Sequence, residues 1–364
     1  MHRTCNFNAG PAALPIDVLQ EAQQEFLDYR QTGMSILEIS HRSEEYADMH
    51  AETKKLLRSL MHIPADYEIL FLQGGGSTQF FMTAANFHTQ KYAAYINTGV
   101  WAQKAMQEAK YFGEVYEAAS SADKNHCYIP DAYTLREGTS YVHLTSNNTI
   151  YGTQFAKFPK FNVPVICDMS SDILSRSINV SDFDLIYAGA QKNLGPAGVV
   201  IVIIKKAFLE KANQQLPTMV RYSTFAANDS LYNTPPVFSI YMVNKILHWI
   251  NKQGGVDAIS LRNAAKARVI YDVIDTGDMF YRGHAEKTSR SLMNITFNLP
   301  TPELEKTFIK QAKLNGLIGL GGHRLVGGCR ASTYNSVPYE ACLALADFMK
   351  KFRKDHGANY KKTN

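Results

Sequence analysis

Cysteine is scarce in this sequence. Five cysteines occur among 364 residues, the count is odd, and no two of them form a CxxC pattern. Disulfide frameworks and structural metal sites usually need paired or closely spaced cysteines, so the sequence argues against both. We therefore expect reduced thiols, no metal, and a cytoplasmic protein.

Long apolar runs are also missing. No stretch reaches the length of about 18 apolar residues that a transmembrane helix requires. The N-terminus, MHRTCNFNAGPAALP, has no apolar centre of signal-peptide length. The sequence predicts neither a membrane span nor a secretion signal.

The chain has no strong excess of one charge. Charged residues make up 20% of it, apolar residues 45%, and the formal net charge is +5. The basic C-terminal tail, KKFRKDHGANYKKTN, accompanies no zinc-finger spacing and no basic-aromatic RNA motif. We interpret the tail as a solvated terminus and expect no nucleic-acid partner.

The most informative stretch, DLIYAGAQKNLGPAGVVIVII, covers residues 184–204. Two apolar runs flank a polar, glycine-containing link that is too short for a parallel crossover, so it predicts an antiparallel strand pair. Lys192 lies in the link. Burial lowers the pKa of a lysine and yields a nucleophilic amine, suited to a Schiff base with a carbonyl. The other interpretation, a turn lysine facing solvent, stays open from this stretch alone.

Strand-like and helix-like segments alternate through the first two thirds of the chain, which predicts an α/β fold with a mostly parallel sheet covered by helices. The pattern changes after residue 250, where a helix, a half-exposed strand and a further helix predict a smaller α+β domain. We expect an N-terminal segment over 1–14, which cannot form a regular element, a large domain over 15–250 and a small domain over 251–364.

A glycine turn follows the first predicted strand of the sheet, in YEILFLQGGGSTQFF. Free backbone N–H groups at a helix start, beside hydroxyls, form an anion site that suits phosphate. The turn matches neither the P-loop nor the GxGxxG pattern. It is either a phosphate site or a tight strand–helix joint.

Trp101 and Asp168 each come just after, or at the end of, a predicted strand, where α/β folds bind ligands. Trp101 could stack on a planar ring or pack in the core. Asp168 could hold the pyridine nitrogen of pyridoxal phosphate protonated, or cap the next segment. The glycine turn, Trp101, Asp168 and Lys192 together are what a pyridoxal-phosphate site requires.

The chain resembles the phosphoserine aminotransferases, class V aminotransferases of the pyridoxal-phosphate-dependent fold type I, over nearly its whole length. The segments that carry the resemblance are FNAGPAALP, ISHRS, GGGSTQF, TGVWAQKA, DMSSDILSR, GAQKNLGPAG, YNTPP and GHRLVGGCRASTYN. It implies an aspartate-aminotransferase-like fold and a homodimer with sites shared between subunits.

The resemblance also implies a role for each site residue. Lys192 is the Schiff-base lysine, Trp101 stacks on the ring and Asp168 pairs with its nitrogen. The remaining cofactor contacts are Gly76, Ser77 and Gln191 at the phosphate, Thr149 near the ring hydroxyl, and Asn233 and Thr234 at the phosphate in the other subunit. The substrate anion sites are His41, Arg42, His323, Arg324 and Arg330.

The implied reaction is reversible transfer of an amino group between glutamate and 3-phosphohydroxypyruvate, in serine biosynthesis. The four-carbon analogue 4-phosphohydroxythreonine, of pyridoxine biosynthesis, stays open. Both substrates carry two anionic groups, which arginine recognises in a bidentate manner. We expect Arg330 to bind the α-carboxylate and Arg42, with His41, His323 and Arg324, to bind the distal anion.

Three positions depart from the family pattern: Ala9, Ser77 and Asn148 stand where many or some members have serine, arginine and an acid. Two other functions remain as alternatives. One is another fold type I enzyme, such as a different small-acid aminotransferase or a cysteine desulfurase, which needs a mobile catalytic cysteine. The other is a non-enzymatic binding protein with an unreactive Lys192.

Overall fold

The structure is a computed structural model, and it describes residues 3–357. The strands within this range are β1 (Cys5–Asn6), β2 (Tyr67–Gly74), β3 (Tyr92–Asn97), β4 (Glu114–Ser120), β5 (Thr139–Thr145), β6 (Val165–Asp168), β7 (Leu185–Gly189), β8 (Gly198–Lys205), β9 (Arg282–Gly283), β10 (Asn294–Asn298), β11 (Leu317–Ile318) and β12 (Cys329–Ser332).

The α-helices in the same range are α1 (Ile16–Glu25), α2 (Glu44–Leu60), α3 (Gly76–Phe87), α4 (Val100–Ala109), α5 (Lys206–Leu209), α6 (Tyr222–Ala227), α7 (Val237–Lys252), α8 (Gly255–Asp275), α9 (Pro302–Leu314) and α10 (Tyr339–His356). The Ser43 hydroxyl caps α2 by accepting from the backbone N–H of Tyr46, which stabilises a helix start. None of these helices is long and apolar enough to cross a membrane.

The main sheet has seven strands in the order β2-β8-β7-β6-β5-β3-β4. Only β8 runs against its neighbours, because the short link after β7 turns the chain back as an antiparallel pair. The parallel strands therefore present their carboxyl ends at one edge, where open α/β sheets bind ligands. The predicted antiparallel pairing around Lys192 is confirmed.

Both faces of the main sheet are buried. One face packs against α2 and α7 through residues such as Phe71 and Ile203, and the other packs against α3 and α4 through residues such as Leu72 and Val202. Alternate residues of a strand point to opposite faces, so a doubly covered sheet needs nearly continuous apolar strands. The β8 sequence, GVVIVIIK, meets this requirement.

A second core forms in the last third of the chain. The antiparallel strands β12, β10 and β9 pack there with α8, α9 and α10 around Phe297, Phe308 and Phe352. The predicted boundary between residues 250 and 251 falls inside the last turn of α7. The N-terminal segment joins this second core, because β1 pairs in parallel with β11 and Phe7 is buried there.

Several sequence expectations need correction. The segment 1–14 does contain a strand, β1, which its partner β11 stabilises from more than 300 residues away. The strict alternation of strand and helix also fails after β4, β5 and β6, where loops and 3-10 turns connect the strands. The first part of the basic tail belongs to α10, and residues 358–364 lie outside the described range.

Candidate active site

A cavity of about 240 Å³ opens at the carboxyl edge of the main sheet. Loops and helix starts that follow β2, β3, β5, β6 and β7 line it, together with the N-terminal segment and the region around β12. Nine predicted site residues meet there: Gly76, Ser77, Trp101, Thr149, Asp168, Gln191, Lys192, His323 and Arg330. The topology therefore gathers residues that are up to 254 positions apart in the chain.

Lys192 follows β7 and projects into this cavity. Its Nζ lies 5.7 Å from the centroid of the Trp101 ring. Gly10 packs against the lysine stem, since a Cβ at residue 10 would lie 3.5 Å from Lys192 Cγ. Burial lowers the pKa of Lys192, Asp168 opposes this shift, and Arg330 adds to it. A lysine in this environment is more nucleophilic at neutral pH than a solvated one.

The lowered pKa of Lys192 predicts its reactivity in the cofactor-free protein. The pH profile of Lys192 carbamylation by cyanate, followed by peptide mass spectrometry, should have its midpoint below the ordinary lysine pKa of 10.5. Asp168→Asn should move the midpoint lower, because it removes the attraction for the ammonium, and Arg330→Met should move it higher. A midpoint at the ordinary value in all three proteins would contradict the burial of this amine.

Asp168 ends β6 and is 7% exposed. One carboxylate oxygen accepts a 2.9 Å hydrogen bond from the backbone N–H of Ser170, which fixes the carboxylate at the floor of the cavity. The Ser170 hydroxyl in turn accepts from the N–H of Gly189 at the end of β7. The carboxylate is therefore held in place by backbone, as a partner for a ring nitrogen must be.

The start of α3 forms an anion cradle. Gly75 precedes the helix with no side-chain capping bond, so the helix N-terminus is available to an anion. The approach is narrow: a Cβ on Gly76 would lie 3.1 Å from Ser170 Oγ, and one on Gly189 would lie 2.7 Å from Gln191 Oε1. A larger residue at either position would crowd Ser170 or Gln191, so N–H groups, hydroxyls and one amide remain close to the anion position.

Thr149 connects Trp101 to Arg330. The indole Nε1–H donates to Thr149 Oγ1 at 2.9 Å, and the Arg330 guanidinium donates to the Thr149 carbonyl oxygen at 2.7 Å. Each bond fixes the orientation of a long side chain on opposite sides of the cavity. Burial lowers the pKa of Arg330, yet arginine stays charged in proteins, so a partly desolvated cation faces the ligand.

The mouth of the cavity is positively charged. The pKa of His323 is lowered by burial and then by Arg330, Arg324 and Lys104. Lys104 Nζ also lies 4.9 Å from the centroid of the Trp101 ring. An anion entering here would meet four nitrogen-bearing side chains, and the positive field would attract it.

Asn148, one of the departures from the family pattern, supports the loop that holds Thr149. Its Nδ2 donates to the Thr98 carbonyl oxygen at 2.9 Å, and its Oδ1 accepts from the N–H groups of Ile150 and Tyr151. Gly99, at a φ of +138°, packs so closely that a Cβ would lie 2.5 Å from Asn148 Nδ2. The amide is needed here as donor and acceptor together.

We therefore expect Asn148→Asp to destabilise the protein. The carboxylate loses the donor to Thr98 and faces a carbonyl oxygen, which costs about 1–3 kcal/mol of unfolding free energy. Urea denaturation of the cofactor-free protein measures this. The control is Asn213→Asp, because exposed Asn213 Oδ1 accepts from the N–H of Gln215 and an aspartate keeps that bond. Equal stability of the two variants would refute the proposed role of the amide.

Five predicted site residues do not line this cavity: His41, Arg42, Asn233, Thr234 and Arg324. His41 and Arg42 lie directly before α2, and the Arg42 side chain is exposed. Asn233 and Thr234 lie between α6 and α7. Arg324 is exposed in the turn before β12. This cavity therefore does not contain the full predicted anion site.

Sequence reasoning missed several residues of this region, among them Gly10, Asn147 and Ser170 in the cavity lining and Lys104 at its mouth. Ser170 could have been found, since it stands two residues after Asp168 in the same loop. Asn147 bonds Ser171 and Asn294 through its amide, both at 2.8 Å. The latter contact depends on the second core and leaves no local signal in the sequence.

The cavity fits pyridoxal phosphate. It offers a lysine for the aldehyde, a fixed carboxylate for the ring nitrogen, an indole for the ring face and a glycine-bounded helix start for the phosphate. The fold and this donor set together define a pyridoxal-phosphate-dependent transferase of the α/β type.

Comparison with known proteins agrees with this class. The family model described as aminotransferase class-V matches residues 4–341. The phosphoserine aminotransferase of Halalkalibacterium halodurans is 56% identical over 360 residues, which cover 98% of this chain and all of that protein. That of Bacillus subtilis is 55% identical over 359 residues, with 98% and 100% coverage.

Solved structures give the same result. The phosphoserine aminotransferase from Bacillus circulans subsp. alkalophilus matches with a TM-score of 0.95 at 52% identity, covering 97% of this chain and 99% of that one. The PLP-bound phosphoserine aminotransferase from Trichomonas vaginalis matches with a TM-score of 0.92 at 37% identity, covering 96% and 100%. The chain therefore belongs to the class V aminotransferases, in the group of the phosphoserine aminotransferases. The predictions of fold class, enzyme class and cofactor are confirmed.

Proposed function

We propose that this protein transfers an amino group reversibly between glutamate and 3-phosphohydroxypyruvate, giving O-phosphoserine and 2-oxoglutarate. The observation that carries the proposal is one cavity lined by Lys192 and Asp168 together with the anion-binding side chains His323 and Arg330. The first pair suits transamination through pyridoxal phosphate, and the second suits substrates with two anionic groups.

Each cavity residue has a task in this reaction. Pyridoxal phosphate, when bound, supplies an aldehyde that carries the amino group and a ring that takes up electrons. Lys192 acts as general base and acid, because its lowered pKa favours the neutral amine that removes a proton from the substrate α-carbon. Asp168 would hold the ring nitrogen protonated, and Trp101 would stack on the ring. Gly76, Ser77 and Gln191 would hold the phosphate, and Thr149 would serve the ring hydroxyl.

The substrate anions divide between two places. Arg330 binds the α-carboxylate, since Thr149 already fixes its guanidinium at the cavity wall. His323 and Arg324, with His41 and Arg42, bind the distal phosphate or carboxylate. A binding site that accepts either a phosphate or a carboxylate must be able to change its side-chain positions. His323 is partly exposed and Arg324 is exposed, which suits this requirement. 4-Phosphohydroxythreonine also carries a carboxylate and a phosphate, and we propose it as a second substrate.

The reaction is tested with purified, cofactor-loaded protein by following 2-oxoglutarate formation from glutamate. 3-Phosphohydroxypyruvate should support turnover, whereas pyruvate, the matched acceptor without phosphate, should not. Comparable rates with both acceptors would overturn the proposed substrate, and no turnover with either would overturn the proposed reaction.

A cysteine desulfurase is disfavoured by the position of Cys329. This thiol lies in β12 next to Arg330, is 2% exposed, and has its pKa raised well above the ordinary value by burial. A desulfurase needs a mobile thiolate. Cys329 is neither mobile nor readily ionised.

We further propose a cytoplasmic homodimer with shared sites. All five cysteines are free, which suits a reducing compartment. The loop with Asn233 and Thr234 is anchored to α2 and β2. Its Asp229 pairs with Lys54 at 2.5 Å and His50 at 3.4 Å, and the Thr234 carbonyl oxygen accepts from Gln73 at 2.5 Å. Because His41 and Arg42 also lie outside the cavity of their own protomer, we assign all four residues to the neighbouring site.

Shared sites predict complementation between inactive subunits. Lys192→Ala and Arg42→Ala subunits, mixed during refolding, should form hybrid dimers. Each hybrid has one intact site, in which Lys192 comes from one subunit and Arg42 from the other. About half of the randomly formed dimers are hybrids. Phosphoserine turnover should recover to about a quarter of the wild-type level. The control mixes Lys192→Ala with Arg330→Ala, two changes in the same cavity of one subunit. This pair should not complement, because each site of a hybrid dimer then carries one of the two changes. If the Lys192→Ala and Arg42→Ala pair recovers no more activity than the control pair, Arg42 acts in its own subunit and the assignment is wrong.

A further inference from the structure

A buried turn, residues 333–337, follows the strand that carries Arg330. Thr333, Tyr334 and Asn335 are each at most 1% exposed. The Tyr334 hydroxyl donates to the carbonyl oxygen of Ala9 at 2.8 Å, and Ala9 lines the active-site cavity. The turn is therefore in direct contact with the edge of the site, although it contributes no side chain to the cavity.

Lys266 of α8 holds this turn. Its Nζ donates to the carbonyl oxygens of Thr333, Tyr334 and Val337 at 3.0, 2.7 and 3.1 Å. Lys266 is 0% exposed, and burial lowers its pKa to about 7. A buried ammonium is costly unless its donors are satisfied, and here three carbonyl groups of one turn satisfy it. The lysine thus links α8 firmly to the turn.

The turn reaches the reactive lysine through Asn193. The backbone N–H of Asn335 donates to Asn193 Oδ1 at 3.0 Å, and Asn193 Nδ2 donates to the Ser171 carbonyl oxygen at 3.2 Å. Asn193 is 2% exposed and adjoins Lys192 in the chain. These two bonds fix the backbone on the carboxyl side of Lys192.

The same turn holds the loop that follows Asp168. Asn335 Nδ2 donates to the Leu174 carbonyl oxygen at 3.0 Å. Its Oδ1 accepts from Asn263 Nδ2 at 2.8 Å, and that amide group also donates to the Ser175 carbonyl oxygen at 3.0 Å. One asparagine therefore connects α8 with the Asp168 loop, while its own backbone contacts Asn193.

We propose that Lys266 is a positioning residue for Lys192, acting through the turn 333–337 and Asn193. Lys266 touches neither substrate nor cofactor; it fixes the turn, and the turn fixes the backbone that carries Lys192. The inference rests on the proposed role of Lys192 as the reactive amine. The turn begins three residues after Arg330 in the chain. Its buried polar contacts therefore connect the strand of Arg330 to the backbone beside Lys192.

The test compares Lys266→Met with Lys245→Met in the cofactor-free protein. Lys245 is a matched control, since it is also buried and paired. It belongs to α7 and pairs with Glu21 and Glu25 of α1, each at 2.7 Å. The readout is hydrogen exchange at the amides of Leu194 and Gly195, which both bond the Ala190 carbonyl oxygen. Lys266→Met should speed this exchange by about tenfold or more, whereas the control should match wild type there.

A second readout is the pH midpoint of Lys192 carbamylation, which should shift in Lys266→Met and stay unchanged in Lys245→Met. Should Lys266→Met fail to fold, Asn193→Ala, which removes only the last link, should give the same two changes. Wild-type exchange and an unchanged midpoint in the folded variant would overturn the proposal and show a purely structural lysine. Neither readout needs turnover, so a failure here is distinct from a failure of the proposed reaction.

Discussion

Lys192→Ala is expected to lower the turnover of phosphoserine transamination by about 10⁴-fold, the upper range for loss of a general acid–base group. In the proposed mechanism the amine both holds the cofactor and moves the proton at the substrate α-carbon, and no other described amine lines the cavity. The purified variant should also lack the visible absorption band of the wild-type protein. Single-turnover kinetics and an absorption spectrum measure the two effects.

The matched control for this change is Lys157→Ala, which alters an exposed lysine outside the cavity and should leave rate and spectrum unchanged. Added methylamine should restore part of the proton-transfer rate in Lys192→Ala, because a small amine can occupy the space of the side chain. A variant that keeps its visible band and most of its turnover would show that Lys192 is an ordinary turn lysine.

Arg330→Ala is expected to reduce kcat/KM by about 10- to 150-fold for both glutamate and phosphoserine, as loss of a charged hydrogen-bonding partner worth about 1.5–3 kcal/mol implies. Both substrates suffer because both present an α-carboxylate. The guanidinium also donates to the Thr149 carbonyl oxygen, so Arg330→Lys should recover only part of the loss. Steady-state kinetics with each substrate measures the effect.

The contrast with Arg42→Ala separates the two anion positions. That change should weaken the binding of phosphoserine and 3-phosphohydroxypyruvate more than the binding of glutamate, because a phosphate carries more charge than a distal carboxylate. If Arg330→Ala instead impairs only the phosphorylated substrates, the assignments of the two arginines must be exchanged.

The parts of the site that the sequence predicted share one property, which is a strong local pattern. An apolar strand followed by a short polar link located Lys192, and an acid at the end of VPVICD located Asp168. Both side chains lie at the carboxyl edge of the sheet because parallel strands end there together. The glycine turn after β2 likewise predicted the anion cradle, because β2 also ends at the carboxyl edge of the sheet.

The parts that escaped prediction depend on distant contacts. The pairing of Cys5 and Asn6 with Leu317 and Ile318 has no local signature in either segment. Lys104 looks like any helix lysine until the fold brings it near His323. The buried environment of Lys266 arises only when the second core closes around α8. In each case tertiary packing, and not local propensity, decides the role of the residue.

The most direct test of the central claim is a half-reaction. Purified, cofactor-loaded protein is mixed separately with O-phosphoserine, glutamate and alanine, and the visible absorption band is followed. The proposed function predicts that O-phosphoserine and glutamate bleach the band and that alanine, which lacks a distal anion, does not. Bleaching by alanine at a comparable rate, or no bleaching by O-phosphoserine, would contradict it.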